Sequence, residues 1–288
     1  MKIKITVDSA ADMSADLLKK YNISVMPIPV ILGEKQCKDS VDVTVKDLYD
    51  YIDATGQLPK TASYNPIEAE EFFRKELASD GGYDALIHFG LSSGLSSVCQ
   101  NAMIASGEFD NRVYVVDTLS LSTGIALQAI RAAELASQGL TAAKIFEDIM
   151  AARQDIQVSF IVDKLKMLHK GGRCSALAVF GANLLNIKPS IKMSQGKLGV
   201  DKKFRGKYIE CVQKYVEDTL HANPNYDRKR VFITHTETSP EIVDAVRTLL
   251  NDKFDEVIET EAGCTITVHC GKNTLGVIFY NKPAPEDD

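Results

Sequence analysis

Apolar and polar residues along the first half of the chain form short strand-like runs separated by helix-like stretches. Residues Lys2–Val7 alternate with the two-residue period of a strand, and apolar runs at Ala85–Leu91 and Arg112–Val116 predict two more strands. Spacings of three and four residues predict helices that begin at or just after Ser14, Thr44, Pro66, Leu95, Gly124 and Thr141. Strands separated by helices of this length indicate βαβ crossovers and a mainly parallel sheet.

One apolar stretch of this half is irregular. Ser24–Leu32 contains Pro27 and Pro29, and proline cannot donate a hydrogen bond to a strand ladder. The stretch therefore predicts a single edge-like or irregular strand.

The pattern changes near Gln157. Two short strands, Ser190–Met193 and Leu198–Lys203, flank a turn that contains Gly196, which predicts a β-hairpin. The other predicted strands are Ser159–Val162, Val231–His235, Val257–Thr260, Thr265–His269 and Leu275–Tyr280, and the predicted helices are Lys164–Lys170, Ser175–Leu185, Lys207–His221 and Ser239–Asn251. A hairpin among α/β units indicates a mixed sheet. We predict two α/β domains, residues 1–156 with a mainly parallel sheet and residues 157–282 with a mixed sheet, followed by a tail at 283–288.

Composition narrows the functional classes. The 288 residues are 45% hydrophobic and 25% charged, with a net charge of −6 and no long run of Lys or Arg, so a nucleic-acid partner is not expected. The six cysteines show no metal-binding spacing, and we expect neither a metal nor a cofactor. The chain begins directly with a strand pattern, and its longest apolar run, Ala176–Ile187, is too short to span a bilayer. We expect a cytoplasmic protein without stable membrane insertion.

Small hydroxyl or acidic residues follow three predicted strands of the first domain. The segments are Val7-Asp8-Ser9, Leu91-Ser92-Ser93-Gly94 and Val116-Asp117-Thr118-Leu119-Ser120. The carboxyl ends of parallel strands face one crevice, where free N–H groups at helix starts favour an anion. Helix capping is the alternative for any one loop, because Ser, Thr and Asp are common N-caps. The serine-rich segment is the best candidate for an anion site, since a single cap does not need the four serines Ser92, Ser93, Ser96 and Ser97.

The serine-rich segment also matches the nucleophile elbow of the α/β-hydrolases. Gly90 to Gly94 spells G-x-S-x-G with Ser92 at the nucleophile position, between a predicted strand and a predicted helix. Histidines follow at His169, His235 and His269, but no His-Gly-Gly oxyanion segment precedes the loop. A serine esterase that uses Ser92 is therefore the alternative to a binding protein.

Six segments, in this order and spacing, carry a resemblance to a known family. They are VDSAADMS, LSSGLSSVCQNA, VVDTLSLSTG, LKMLHKGGRCS, LLNIKPSIKMSQGKL and HCGKNTLG. Nearly end to end, the chain resembles the DegV family of bacterial fatty-acid-binding proteins. The resemblance implies two α/β domains that clasp a long-chain fatty acid, with the tail in an apolar cleft or tunnel between them. It implies a carrier rather than an enzyme, and some members deliver the acid to a partner fatty acid kinase for acyl-phosphate formation in phospholipid synthesis.

The resemblance also implies a set of site residues. The carboxylate is expected at Thr61, Ser93 and Gly94 of the first domain and His269 of the second, with Ser63, Ser92 and Ser120 as accessory candidates. Arg173 matches a family arginine tied to the partner or phosphoryl step. Hydroxyls and backbone N–H groups supply the donors that a buried carboxylate needs, and a histidine can carry a charge near neutral pH.

The residues taken alone leave other roles open. Thr61 could be an ordinary loop threonine, His269 a core histidine bonded to a backbone carbonyl, and Arg173 a residue that favours a helix C-terminus. The apolar segments Leu165–Leu168, Ala176–Phe180 and Leu184–Ile187 fit ordinary core or, on the resemblance, the wall around the tail.

The chain departs from the family pattern close to the expected carboxylate site. The family commonly has Ser-Gln-Pro after the threonine, whereas this chain has Ala62-Ser63-Tyr64. Lys272-Asn273 stands where Pro-Gly is usual. We expect these departures to affect the mouth of the site and the preferred chain more than the class of ligand.

Overall fold

The computed structural model of the chain describes residues 1–174 and 187–282. It divides into two compact units, of which the first comprises Met1–Arg153 together with Gly263–Val268. The second comprises Gln154–Ala262 and the residues from His269 onward. The predicted helix Ser175–Leu185, the apolar segment Ala176–Phe180, most of Leu184–Ile187 and the tail at 283–288 lie outside the described residues.

The first unit contains a parallel sheet, as predicted. The strands of this unit are β1 (Ile3–Asp8), β2 (Ile23–Met26), β3 (Pro29–Leu32), β4 (Lys35–Lys38), β5 (Lys60–Thr61), β6 (Ala85–Gly90) and β7 (Val113–Asp117). The order β2-β1-β6-β7 is parallel throughout. Its carboxyl-terminal edge therefore collects the ends of β1, β6 and β7, where the three polar segments begin.

A second, antiparallel sheet of order β4-β3-β5 corrects the prediction of one strand over Ser24–Leu32. The stretch breaks between β2 and β3 at Pro27 and Ile28. The N–H of Ile28 donates to Ser9 Oγ (3.0 Å), and its carbonyl accepts the N–H of Asp39. Both backbone groups of Ile28 are thus used outside the parallel ladder, so β3 continues in a different sheet.

The helices of the first unit follow the capping signals of the sequence. They are α1 (Ala15–Tyr21), α2 (Val45–Thr55), α3 (Pro66–Ala78), α4 (Val98–Ser106), α5 (Thr123–Ser137) and α6 (Ala142–Ala152). Thr44 and Asn65 form capping boxes with Asp47 and Glu68, which confirms the predicted starts of α2 and α3. The helix predicted from Leu95 begins only at Val98, because the serine-rich segment forms a turn before it.

The second unit contains a mixed sheet, which also confirms the prediction. Its strands are β8 (Ile156–Val162), β9 (Lys188–Ser194), β10 (Lys197–Phe204), β11 (Tyr226–Thr236), β12 (Val257–Glu261) and β13 (Thr274–Asn281). The order is β10-β9-β8-β13-β11-β12, with only β11 and β12 parallel. The helices are α7 (Lys166–Gly171), α8 (Tyr208–Ala222) and α9 (Pro240–Leu250). Apolar residues of α8 and α9 pack on β11 and β13 to form its core. A further helix, α10 (Cys264–Cys270), lies in the first unit up to Val268, and its last two residues belong to the second.

Helix α10 replaces the strand predicted over Thr265–His269, so that prediction was wrong. Two buried acidic side chains of the first unit bond its start. Asp12 Oδ1 accepts the N–H of Gly263 (2.8 Å), and Asp39 accepts the N–H groups of Cys264 (3.1 Å) and Thr265 (3.0 Å). Side-chain oxygens stabilise a helix N-terminus by accepting from its free N–H groups. This capping outweighs the strand propensity of the β-branched run.

Packing supports the same helix. Cys264 and Val268 are four residues apart, so they share one helical face, and both join a buried cluster with Val30, Cys37 and Leu48 of the first unit. The segment Gly263–Val268 is therefore part of the first unit although it is distant from it in sequence.

Candidate functional site

The three polar segments meet at the carboxyl edge of the parallel sheet. Asp8, at the end of β1, accepts the N–H of Leu91 with Oδ2 at 2.7 Å. The Thr118 hydroxyl donates to the carbonyl of Gly90 (2.7 Å), and the N–H of Ser92 donates to the carbonyl of Ser120 (3.0 Å). The strand order predicts this meeting, because neighbouring parallel strands end at the same edge.

Ser93 is bound to Asp117, a partner that the sequence analysis did not assign. The Ser93 hydroxyl donates to Asp117 Oδ2 (2.5 Å), and its N–H donates to Oδ1 (3.2 Å). The same Oδ1 accepts the N–H of Leu119 (3.2 Å). A serine hydroxyl has one proton, so Ser93 can donate it to Asp117 or to a ligand, but not to both.

The neighbours of Ser93 differ sharply in exposure. Ser92 is fully buried (0% exposed), and its hydroxyl accepts the N–H of Gly94 (3.2 Å), whereas Gly94 is exposed. A catalytic serine must be reached by its substrate, so the burial of Ser92 gives no support to the esterase alternative. The Ser96 hydroxyl accepts the N–H of Val98, at the start of α4, at 3.4 Å, whereas Ser97, the N-cap of α4, makes no side-chain capping bond. The hydroxyls of Ser92 and Ser93 bond Gly94 and Asp117 instead.

Ser120, the accessory candidate of the third segment, is buried and takes part through its backbone. Its carbonyl accepts from Ser92, and its N–H donates to Thr118 Oγ1 (3.3 Å). Its hydroxyl has no hydrogen-bond partner within the part of the chain that the structure describes.

The loop that follows β5 lies beside the serine-rich segment. Thr61, half-buried, ends β5 and pairs with Val30 of β3. Ser63 is exposed, and its hydroxyl oxygen is 3.2 Å from that of Ser96. The Asn101 side chain of α4 donates to the carbonyl of Tyr64 (2.6 Å). Thr61 and Ser63 are thus carried by a loop that contacts both the serine-rich segment and the helix after it.

A buried polar network also joins this loop to the strand ends. The Tyr64 hydroxyl donates to Asp8 Oδ1 at 2.9 Å and is 3.3 Å from His88 Nε2, which is also 3.3 Å from Asp8 Oδ1. On the other side of the imidazole, His88 Nδ1 is 3.0 Å from Thr6 Oγ1. Burial and the neighbouring Asp8 carboxylate raise the pKa of Tyr64 well above its ordinary value.

In the second unit, Gly171 and Arg173 lie against His269. Gly171 approaches so closely that a β-carbon at this position would lie 2.6 Å from His269 Nδ1. The guanidinium of Arg173 donates to the carbonyl of Gly171 (2.7 Å). The glycine pair before Arg173 therefore brings backbone and a positive charge next to the imidazole.

His269 is not the cation near neutral pH that the sequence analysis considered. Burial, followed by the positive charge of Arg173, lowers its pKa from 6.5 to about 4. A neutral imidazole has one N–H to donate and one nitrogen that accepts. The side chain can therefore offer a single hydrogen bond to a carboxylate, whereas the positive charge beside it belongs to Arg173.

The structure also bears on disulfides, metal-binding clusters and helices long enough to span a membrane. All six cysteines are buried and none forms a disulfide. Across residues 1–174 and 187–282, no cluster of His, Cys, Asp and Glu has the arrangement of a metal site. Within the same residues, no helix combines the length and the apolar character needed to cross a membrane.

The fold and the loops place the chain in the class of two-unit α/β proteins that carry hydroxyl-bearing loops at the edge of a parallel sheet. The DegV family model matches residues 2–282, so the chain belongs to the DegV family. The resemblance stated from the sequence segments is thereby confirmed.

Relatives with assigned names match nearly the full length of the chain. It is 33% identical over 285 residues to a fatty acid-binding protein of Thermotoga maritima, covering 96% of each sequence. The fold is similar to that of a DegV lipid-binding protein from Thermotoga maritima, with a TM-score of 0.85, 29% identity and coverage of 98% of this chain and 100% of the other. A DegV family protein from Thermus thermophilus, described for its fatty acid binding, gives a TM-score of 0.85 at 27% identity, with coverage of 98% and 100%.

Sequence reasoning missed four residues that shape the polar loops of the first unit. Asp117 and Asp8 stood in the polar segments, but only as possible caps or anion neighbours. Tyr64 stood out as a departure from the family pattern, a signal that a special contact forms there. His88 lies inside an apolar strand, and nothing in the local pattern indicates its partners.

Proposed function

We propose that the chain binds a long-chain fatty acid, with the carboxyl group held by Thr61, Ser93, Gly94 and His269 and the tail in an apolar tunnel. The observation that carries the proposal is the full-length relationship to the Thermotoga maritima protein named for fatty acid binding. The hydroxyl-bearing loops of the first unit add the donor chemistry that a carboxylate requires. The relatives are named for binding, which fits a carrier rather than an enzyme.

The contacts of Ser93 define how a carboxylate would enter. The incoming group replaces Asp117 as acceptor of the Ser93 hydroxyl, while Asp117 keeps the N–H groups of Ser93 and Leu119. One charge-assisted hydrogen bond is thus exchanged for another, so the net contribution of Ser93 is at the lower end of the usual 1.5–3 kcal/mol for a bond to a charged group, about 1.5 kcal/mol.

The tail supplies most of the affinity in this proposal. Burial of hydrocarbon contributes about 0.8 kcal/mol per CH₂, so a tail of roughly sixteen carbons offers on the order of 12 kcal/mol before ordering losses. Leu165 and Leu168, both buried, belong to the described part of the apolar segments that we assign to the tail. Polar donors then select the headgroup and its orientation.

We further propose that the bound acid is presented to a partner fatty acid kinase, with Arg173 serving the phosphoryl step. The exposed guanidinium of Arg173 lies beside His269, and a fixed positive charge next to the carboxylate would stabilise an acyl-phosphate. Cytoplasmic location and a role in phospholipid synthesis follow from this proposal.

The test is a direct analysis of the purified protein. Organic-solvent extraction followed by mass spectrometry should recover a fatty acid in about equimolar amount, and delipidated protein should bind added oleate or palmitate. A protein that carries no fatty acid and fails to bind either would contradict the proposal.

A further inference from the structure

Four polar side chains lie together inside the first unit, beneath the loops of the proposed carboxylate site. Thr6, Asp8 and His88 are 0% exposed and Tyr64 is 2% exposed. They occupy the face of the parallel sheet that packs on α3, where the ring of Phe73 lies 5.2 Å from that of His88. Such positions are ordinarily apolar, because burying polar groups is favourable only when they bond one another.

The hydrogen bonds of this group have one consistent direction. Asp8 accepts from the hydroxyl of Tyr64 at Oδ1 and from the N–H of Leu91 at Oδ2. The Tyr64 hydroxyl donates its only proton to Asp8. His88 Nε2 must therefore carry a hydrogen in order to donate to the Tyr64 oxygen or to Asp8 Oδ1. His88 Nδ1 then accepts from the Thr6 hydroxyl. Each donor is used, and the chain of bonds ends on the carboxylate.

Asp8 thereby connects two separate backbone segments that carry proposed ligand residues. One carboxylate oxygen holds Tyr64, three residues after Thr61, and the other holds the N–H of Leu91, two residues before Ser93. Asp8 thus bonds both segments from inside the unit, in addition to the Ser63–Ser96 contact and the bond from Asn101 to the carbonyl of Tyr64.

We propose that Tyr64 is a positioning residue for headgroup selection: its bond to Asp8 fixes the Thr61 loop against the Ser93 loop at the spacing that a carboxylate requires. The inference rests on the proposed function. Tyr64 does not touch the ligand in this proposal. It acts through Asp8, and its effect should therefore fall on recognition of the carboxylate and not on burial of the tail.

The test compares two ligands that share a tail. Delipidated wild type and Tyr64→Phe are titrated with oleate and with oleyl alcohol, which lacks the carboxylate. A misplaced Thr61 loop predicts about tenfold weaker oleate binding, with oleyl alcohol unchanged to within about twofold. Hydrogen exchange at the N–H of Leu91 should also accelerate, since its acceptor is no longer held by the tyrosine.

Tyr83→Phe is the matched control. The Tyr83 hydroxyl donates to Asp80 (3.0 Å) and accepts from Asn22 (2.9 Å), and this buried ring precedes β6, at the opposite edge of the sheet. The Tyr83→Phe variant removes a comparable hydroxyl–carboxylate bond at a place distant from the loops. The ratio of its oleate affinity to its oleyl alcohol affinity should therefore stay at the wild-type value.

The outcomes separate the inference from the proposed function. Unchanged oleate affinity in Tyr64→Phe, or an equal loss for both ligands, overturns the positioning role. Wild type that binds neither ligand, or binds both equally, overturns the headgroup site itself. If Tyr64→Phe does not fold, the double variant Asp8→Asn, Tyr64→Phe removes the buried charge, and the same selective loss of oleate is expected. An equal loss for both ligands in that variant again overturns the inference.

Discussion

Gly171 makes a sharp prediction about His269. A β-carbon at position 171 would lie 2.6 Å from His269 Nδ1, whereas ordinary van der Waals contacts begin near 3.4 Å. In Gly171→Ala, the imidazole and the backbone must therefore separate, by 3.4 − 2.6 = 0.8 Å to restore an ordinary contact. The glycine ends α7 with an ordinary backbone conformation, so alanine is compatible with the helix itself.

The expected result concerns the protonation of His269. Burial and the neighbouring Arg173 keep its pKa at about 4 instead of 6.5, a preference for the neutral ring worth about 3 kcal/mol. A displaced ring is better hydrated and farther from the guanidinium, so its pKa should rise toward the ordinary value. Because a misplacement of about 1 Å can cost up to a hundredfold in a positioned site, oleate affinity should fall by roughly ten- to hundredfold.

Two measurements check this. NMR titration follows the ring protons of the five histidines, with His269 assigned from the signal lost in His269→Gln, and a fluorescent fatty acid reports affinity. Gly199→Ala is the matched control, because a β-carbon there would have nothing within 4 Å. A wild-type pKa for His269 and an unchanged affinity in Gly171→Ala would refute the reasoning, since the ring would then not depend on this contact.

Three further predictions follow from buried or paired side chains. Burial raises the pKa of Asp12 from 3.8 to about 8, so the folded state binds the extra proton between those values and stability falls as pH rises. Relative to Asp12→Asn, the free energy of unfolding of wild type should fall by up to about 1.4 kcal/mol per pH unit between about pH 5 and 8. The control variant Asp53→Asn, at an exposed position, should show the same pH dependence as wild type. If the free energies of unfolding of wild type and Asp12→Asn change with pH in parallel, the raised pKa of Asp12 is contradicted. Ser93→Ala should weaken oleate binding by about tenfold and Ser92→Ala by less, measured with delipidated protein; equal, wild-type-like affinities would remove the serine loop from the site. Arg173→Ala should keep lipid and stability but fail to support acyl-phosphate formation with a cognate fatty acid kinase, and loss of lipid binding would make Arg173 a headgroup residue instead.

The sequence by itself determined the elements whose causes are local. The starts of α2 and α3 follow from capping boxes that span four residues, and the parallel direction of β1, β6 and β7 follows from strands separated by helices. The meeting of the polar segments at one edge needs no more than this topology. Resemblance over nearly the whole chain then identified the family, among whose members are proteins named for fatty acid binding.

Only the tertiary structure decided which groups are partners across long stretches of chain. Thr265–His269 has the composition of a strand, yet it is helical because Asp12 and Asp39, more than two hundred residues earlier, bond its first N–H groups. Likewise, Asp117 takes the proton of Ser93, and Arg173 with burial keeps His269 neutral. Hydrogen bonding and desolvation depend on distances of a few ångströms in space, and local residue patterns do not encode which distant side chains reach that distance.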